Sequence, residues 1–205
     1  MSAAPSRGRV VPLRRTGERG AALSDISDEA LLAACGVDDA AALGVLFDRH
    51  HEAVYRLVSR LLSAEPDAID DLVQTTFLEA WRAAPSFRGR GSVRSWLYGI
   101  AANAVRHHVR GAVRRRGAIA ALPEPPPTRR PDDVALRAQL VGRLAAAMET
   151  LPHDLRTAFV LCDLEEVSGV DAARALGVRA GTLWRRLHEA RRALRAALGS
   201  TEVAP

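Results

Sequence analysis

The chain contains no lysine: all 29 of its basic side chains are arginine. Arginine's planar fork matches phosphate oxygens and guanine edges in pairs, where an ammonium acts as a point charge. With a formal net charge of +5, the composition suggests a polyanionic partner. Cysteine is nearly absent too. Cys35 and Cys162 stand far apart with no CxxC or Cys/His spacing, which points away from a disulfide framework and a zinc site. Two free thiols acting as small hydrophobes is the simple reading. No run approaches the ~18 apolar residues of a membrane span. The N-terminus, with Arg7, Arg9, Arg14, Arg15 and Arg19, lacks the apolar core of a secretory signal. A cytoplasmic protein without membrane insertion is therefore expected. No stretch alternates with period two, so the expected fold class is all-α. There is no HxxxH spacing, Ser/His/Asp context or Gly-rich phosphate loop. Adjacent His50-His51 and His107-His108 would point ~100° apart on a helix, so neither pair chelates easily. No catalytic residue, metal, cofactor or small-molecule substrate is expected.

Residues 1–25 form an aperiodic basic tail rich in Arg, Gly, Pro and Ala, expected to be disordered. Ser27-Asp28 caps a first helix that Gly36 stops. A second follows Asp38-Asp39, with Leu43, Leu46, Phe47, Val54, Leu57, Val58 and Leu61 at spacings of three and four. Pro66 suits the first turn of a third helix, whose inner face is Ile69, Leu72, Val73, Phe77, Ala80 and Trp81. A turn-rich break at 85–91 precedes a fourth helix from about Ser92 to Arg116. Its inward side is Val93, Trp96, Leu97, Ile100, Ala101 and Ala104. Between Leu122 and Pro131 five of ten residues are proline, which excludes helix interior and favours an extended linker over 117–131. Fifteen such residues would reach ~45 Å at about 3.1 Å each. Asp132-Asp133 then opens a helix carrying Leu136, Leu140, Leu144 and Met148. Leu151-Pro152 starts another, running to about Asp163. A short helix over 170–177 ends at Gly177, and a last one runs from near Arg179 to Leu198. The expected organisation is a first helical domain over 26–116, a second over 132–199, and a tail over 200–205.

Charge is segregated by sign. Residues 64–81 hold five acids (Glu65, Asp67, Asp70, Asp71, Glu79) and no base, whereas residues 82–123 hold nine arginines and no acid. Solvated helix faces normally mix signs. A basic face for nucleic acid beside an acidic face for a basic protein partner explains the pattern better. Phe87, Trp96 and Tyr98 interleave these arginines, and rings so placed can stack splayed bases. Trp96 and Tyr98 also suit a core, and that alternative stays open.

Residues 171–187 read as helix, tight turn, helix. Ala173 allows close crossing, and Gly177 allows the positive φ that ends the first helix. Leu183, Leu187, Ala190, Leu194 and Leu198 form one buried seam. Arg185, His188 and Arg192 lie opposite it, while Trp184, Arg191 and Arg195 flank it. A basic second helix with an exposed N-terminal half is the geometry that enters a major groove. An ordinary helical hairpin would share the pattern. Trp184 either meets DNA or packs on the first helix of the motif.

These residues resemble the extracytoplasmic-function (ECF) branch of bacterial sigma-70 factors over about residues 27–199. Asp70-Asp71-Leu72-Val73-Gln74-Thr75-Thr76-Phe77-Leu78-Glu79-Ala80-Trp81-Arg82 is similar to the segment that docks on the polymerase clamp helices. Phe87-Arg88-Gly89 followed by residues 96–103 is similar to the element that melts and reads the −10 promoter. Leu151-Pro152, Arg156, Leu176-Gly177-Val178 and Gly181-Thr182-Leu183 are similar to the −35 reading domain.

The resemblance implies core RNA polymerase (clamp helices and flap of the large subunits), promoter DNA and an inhibitory anti-sigma factor as partners. It also implies a linker threaded toward the RNA exit path. On the matching positions it implies polymerase contacts at Asp67, Asp70, Asp71, Gln74 and Phe77. The −10 contacts would be Arg88, Arg90, Ser92, Arg94, Trp96, Tyr98, Asn103, Arg106, His107 and Arg110. The −35 contacts would be Arg179, Thr182, Trp184, Arg185, His188 and Arg192. Departures from the family pattern are Gly99 and His107, where Arg and Asp are usual, and Asp171-Ala172, where Glu-Ile is usual. Trp184, Arg185 and Glu189 stand where a basic residue, Ser and Arg are usual. The alternative is a stand-alone helix-turn-helix regulator binding DNA as a dimer, which would need neither the acidic helix nor the aromatic-arginine segment.

Overall fold

The computed structural model describes Leu23 and residues 25–62, 66–116 and 133–199, with 113–116 and 133–139 as backbone alone. The N-terminal tail, Glu65, the Pro-rich linker at 117–131 and the tail at 200–205 lie outside the described residues. Every regular element described is helical: α1 Asp28–Cys35, α2 Ala40–Leu61, α3 Ile69–Ala83, α4 Val93–Arg116, α5 Asp133–Glu149, α6 His153–Phe159, α7 Gly169–Ala175 and α8 Ala180–Gly199.

Caps explain the first boundaries. The Ser27 hydroxyl accepts from the Ala30 amide, and the Asp39 carboxylate accepts from the Ala41 amide at 3.0 Å, so each satisfies an orphan donor of a first helical turn. Gly36 ends α1 with ordinary right-handed geometry; the left-handed residue is Asp38, at φ +64°. Asp28 also ties α1 to α2. It accepts from Arg49 at 2.6 Å and lies 2.7 Å from the buried His50 ring. Burial pushes its pKa up, but the bonds and charges of Arg49 and His50 outweigh that, and the net shift is down.

Helices α1 to α4 enclose a core of Leu31, Leu46, Val54, Leu57, Phe77 and Leu97. Phe77 meets Phe47 edge to face, with centroids 4.9 Å apart. Helix α4 is buried beyond its expected stripe: Tyr98, Ala102 and Val105 are as inaccessible as Leu97 and Ala101. It packs on α2 and α3 and also against α7, so residues outside the stripe have a partner as well.

The second helical group, α5 to α8, is built around Leu161, Leu183, Leu187, Ala190 and Leu194. The expected inner stripe of α5 is only partly internal. Met148 is buried, but Leu140 is half exposed and Val141 more so, because α5 meets α8 mainly toward its own C-terminal end. Residues 153–164 are not one α-helix. After Phe159 the chain widens into a π turn over Val160–Leu164, where the Glu165 amide bonds the Val160 carbonyl five residues back. The widened turn brings Glu165, which no sequence feature singled out, to face the first helical group.

Candidate nucleic-acid interface

The acidic surface is carried by the 3-10 turn at Pro66–Ala68 and by α3. Asp67, Asp70, Asp71 and Gln74 are exposed. At 100° per residue they fall on one face, and Leu78, 45 % exposed, falls at its centre. Leu78 is thus an exposed apolar side chain amid carboxylates, which the acid count by itself did not reveal. Phe77 corrects the expectation: it is 2 % exposed and cannot meet a partner. It lies one residue round the helix from Leu78, which places it in the core.

The arginine-rich surface begins at Phe87 and continues along α4. Arg88, Arg90, His107 and Arg110 are exposed. Trp96 is half-buried and packs edge to face on Phe87 at 5.4 Å, so its ring is neither fully core nor a free platform. Asn103 and Arg106 bond one another through Oδ1 and the guanidinium, leaving Arg106 Nε buried without an acceptor. Ser92 is exposed, but its hydroxyl is engaged as a cap, accepting from the Ser95 amide at 3.1 Å. Tyr98 corrects a second expectation. It is fully buried, and its hydroxyl donates to Glu165 at 2.6 Å and accepts from Arg94 Nε at 2.9 Å. Burial, reinforced by the Glu165 bond, pushes its phenol up to about 12, so it stays a neutral donor. Arg94 reaches the same carboxylate at 3.2 Å and stacks over the Tyr98 ring. Tyr98 thus faces protein here, not an open DNA groove, while Arg94 bonds this pair with 47 % of its side chain still exposed.

The helix-turn-helix consists of α7, a turn and α8. Ser168 caps α7, accepting from the Asp171 amide at 3.1 Å. Gly177 takes φ +63° and turns the chain with little steric cost. Leu183, Leu187, Ala190 and Leu194 bury the seam of α8, and Trp184, Arg185, His188, Arg192 and Arg195 form one exposed face opposite. Arg179 is exposed and Thr182 half-buried at the entrance to the same face. Arg195, which flanks the seam by spacing but is not among the −35 contacts the resemblance implies, also belongs to this surface. Two neighbouring arginines are committed to structure: Arg186 pairs with Asp154, and Arg191 grips Asp163 through two bonds of 2.9 and 2.6 Å.

Trp184 combines both of its readings. Its ring covers Gly169, where an added Cβ would lie 2.3 Å from the indole, yet 51 % of the residue is exposed. It packs on the first helix of the motif and still presents an apolar edge beside Val170, which is 58 % exposed.

The comparisons with known proteins match two separate stretches of the chain. Sigma-70 region 2 matches residues 46–115, and sigma-70 region 4 matches residues 142–194. The ECF RNA polymerase sigma factor SigM of Mycobacterium tuberculosis is 36 % identical over 173 residues, covering 84 % of this chain and 85 % of SigM.

The chain belongs to the ECF sigma factors of the sigma-70 family.

SigE of Mycolicibacterium smegmatis is also 36 % identical, over 157 residues, and the alignment spans 59 % of that protein's length. Among solved structures, CnrH in complex with the cytosolic domain of CnrY superposes on this sigma factor with a TM-score of 0.62 at 28 % identity, covering 85 % of this chain and 98 % of CnrH. The sigma factor RpoE in complex with the anti-sigma factor NepR from Bartonella quintana gives 0.58 at 25 % identity, covering 76 % and 95 %. The region 2 match answers the alternative of a stand-alone helix-turn-helix regulator, which has no use for that domain. Among the described residues no helix is long and apolar enough to cross a membrane, and no cluster of His, Cys, Asp and Glu is arranged to hold a metal ion.

Proposed function

We propose that this sigma factor recruits core RNA polymerase through the acidic face of Asp67, Asp70, Asp71, Gln74 and Leu78. In this reading residues 26–116 form the polymerase-docking and −10 domain, and residues 132–199 form the −35 domain. Arg88, Arg90, Trp96, Asn103, Arg106, His107 and Arg110 act on the −10 element. The exposed face of α8, with Arg179, Thr182, Trp184, Arg185, His188 and Arg192, reads −35. The observation that carries the reading is the separation of sign: an exposed carboxylate stripe on α3 and exposed arginines on a different surface of the same helical group. Carboxylates repel DNA and suit a basic protein groove, while the exposed arginines suit the phosphate backbone.

The chemistry asked of the protein is positional. Extruding a base costs a few kcal/mol of unstacking, and in this reading Asn103 supplies compensating hydrogen bonds. In this reading the protein is a non-enzymatic, cytoplasmic initiation factor. An inhibitory anti-sigma protein completes the partner set, supported by the likeness to the sigma factor RpoE solved with the anti-sigma factor NepR and to CnrH solved with the cytosolic domain of CnrY.

Purified core polymerase, with and without the factor, tests the reading on a promoter library. Defined start sites appearing only with the factor are expected; transcripts no different from core alone would sink it. Asn103→Ala should lower permanganate reactivity of −10 thymines far more than it weakens initial promoter binding.

A further inference from the structure

The two helical groups are joined by a polar latch that neither motif explains. Glu165, at the end of the π turn, has only 2 % of its side chain exposed. Its carboxylate receives Tyr98 Oη at 2.6 Å, Arg94 at 3.2 Å and the Arg60 guanidinium. All three donors come from the first helical group, whereas Glu165 belongs to the second. Arg60 also reaches the Leu164 carbonyl at 3.3 Å, and Arg156 of α6 donates to the Leu61 carbonyl at 3.0 Å in the opposite direction. Beside this latch α4 and α7 touch backbone to backbone. A Cβ on Gly99 would lie 2.3 Å from the Ala175 carbonyl oxygen, so that approach is open only to glycine. Between the groups lies a cleft of about 490 Å³, where Trp96, Asn103 and Arg106 face Asp154, Arg174 and Arg186.

We propose that the free sigma factor is autoinhibited by its own second domain, which closes over the −10 surface of α4 and is latched by Glu165 and by the Gly99–Ala175 contact. The inference rests on the reading of α4 as the −10 surface. In the closed form Asn103 and Arg106 satisfy each other inside the cleft and are screened from a DNA strand. The closed form also cannot initiate. Elements at −10 and −35 are roughly 25 base pairs apart, ~85 Å of duplex at 3.4 Å per pair, far beyond the reach of two packed domains. The latch suits a reversible device. A buried carboxylate left unpaired is costly, so closure demands all its donors. A fully paired one gains little over water, so opening costs little once polymerase draws the domains apart. Gly99, a departure from the usual arginine of the family, is what lets this chain close so tightly.

The test uses the full chain, free in solution, with fluorophores on exposed positions of α3 and α8. Gly99→Ala adds one methyl at the contact and replaces glycine by a better helix former, so folding is not at risk. Glu165→Gln keeps the volume and removes the charge. The wild type should give a short inter-domain distance, and both variants a longer one. Each variant should also bind a −10 single-stranded oligonucleotide more tightly. A factor open about a tenth of the time gains roughly tenfold when held open. Bound to core polymerase, the wild type and Glu165→Gln should bind the oligonucleotide equally. A long distance in the wild type, or none of these changes in Gly99→Ala, overturns the closed state. A longer distance without tighter binding overturns the autoinhibition. Failure of the −10 reading itself shows separately, as a holoenzyme that does not bind the oligonucleotide while the distances still respond.

Discussion

Phe77 and Leu78 are neighbours in sequence with opposite roles. Phe77 fills the space between α2 and α3 and touches Phe47, while Leu78 stands in solvent among carboxylates. Truncating Phe77 to Ala is therefore expected to cost ~3–5 kcal/mol of stability, measured by urea unfolding. Leu78→Ala should leave stability within about 0.5 kcal/mol and instead weaken binding to core polymerase. If Leu78→Ala binds core like the wild type, the anchor is misassigned. At the other end of the molecule, Arg185 is exposed and free to fork onto a guanine edge, a contact worth ~1–3 kcal/mol of base discrimination. Selection from a library randomised across −35 should return different bases at one or two positions for Arg185→Ser. The same element recovered at equal strength would reduce Arg185 to a surface residue. Trp184 is held over Gly169, so Gly169→Ala should displace the indole and shift the same preference.

Helix α3 acts as one element with two faces. Its inner face of Ile69, Leu72, Val73, Thr76, Phe77 and Ala80 holds it on α2 and α4, and its outer face carries Asp70, Asp71 and Gln74. Because the outer face does not support the core, reversing charge at Asp70 and Asp71 should leave helical content unchanged while weakening core binding. The loss should shrink as salt rises, since exposed charges are screened within about 10 Å at 0.1 M. Core affinity within twofold of wild type at moderate salt would refute the acidic face as the polymerase contact. Helix α4 is different in kind. It is buried against both helical groups, so substitutions at Tyr98 or Ala102 are expected to disturb the domain interface before they disturb DNA contacts.

For the molecule as a whole, His153 is expected to make domain closure sensitive to pH. It sits at the start of α6 against the backbone of Ala102, and burial pushes its pKa below the ordinary histidine value. Asp154 favours its protonation, while Arg156 and Arg106 oppose it. A depressed histidine pKa means that the opened chain takes up the proton first. The contribution of His153 to closure is therefore complete above about pH 6.5 and is lost as pH falls below it. The inter-domain distance should lengthen between pH 7.5 and 5.5 in the wild type and change less in His153→Gln. Equal responses in the two proteins would remove His153 from the mechanism.

Local chemistry determined much of this protein before any tertiary contact was considered. Ser27 and Asp39 cap because a side-chain oxygen before a helix satisfies an orphan amide. Gly177 turns the DNA-reading motif because no other residue takes a positive φ so cheaply. The seam of α8 follows from the 3.6-residue period, and with the seam comes the opposite basic face. The segregation of acids and arginines is likewise a property of the chain read in order. Tertiary structure decided what depends on residues far apart in sequence. Phe77 and Tyr98 lie in segments that resemble binding elements, yet both are buried, because which side of a helix is covered depends on what packs there. The π turn and Glu165 carried no local signal, since a widened turn is selected by the contacts it satisfies, here with Arg60, Arg94 and Tyr98. Gly99 was visible as an odd residue in a familiar motif. Only the Ala175 carbonyl opposite it gives that oddity a physical reason: two backbones this close leave no room for a Cβ.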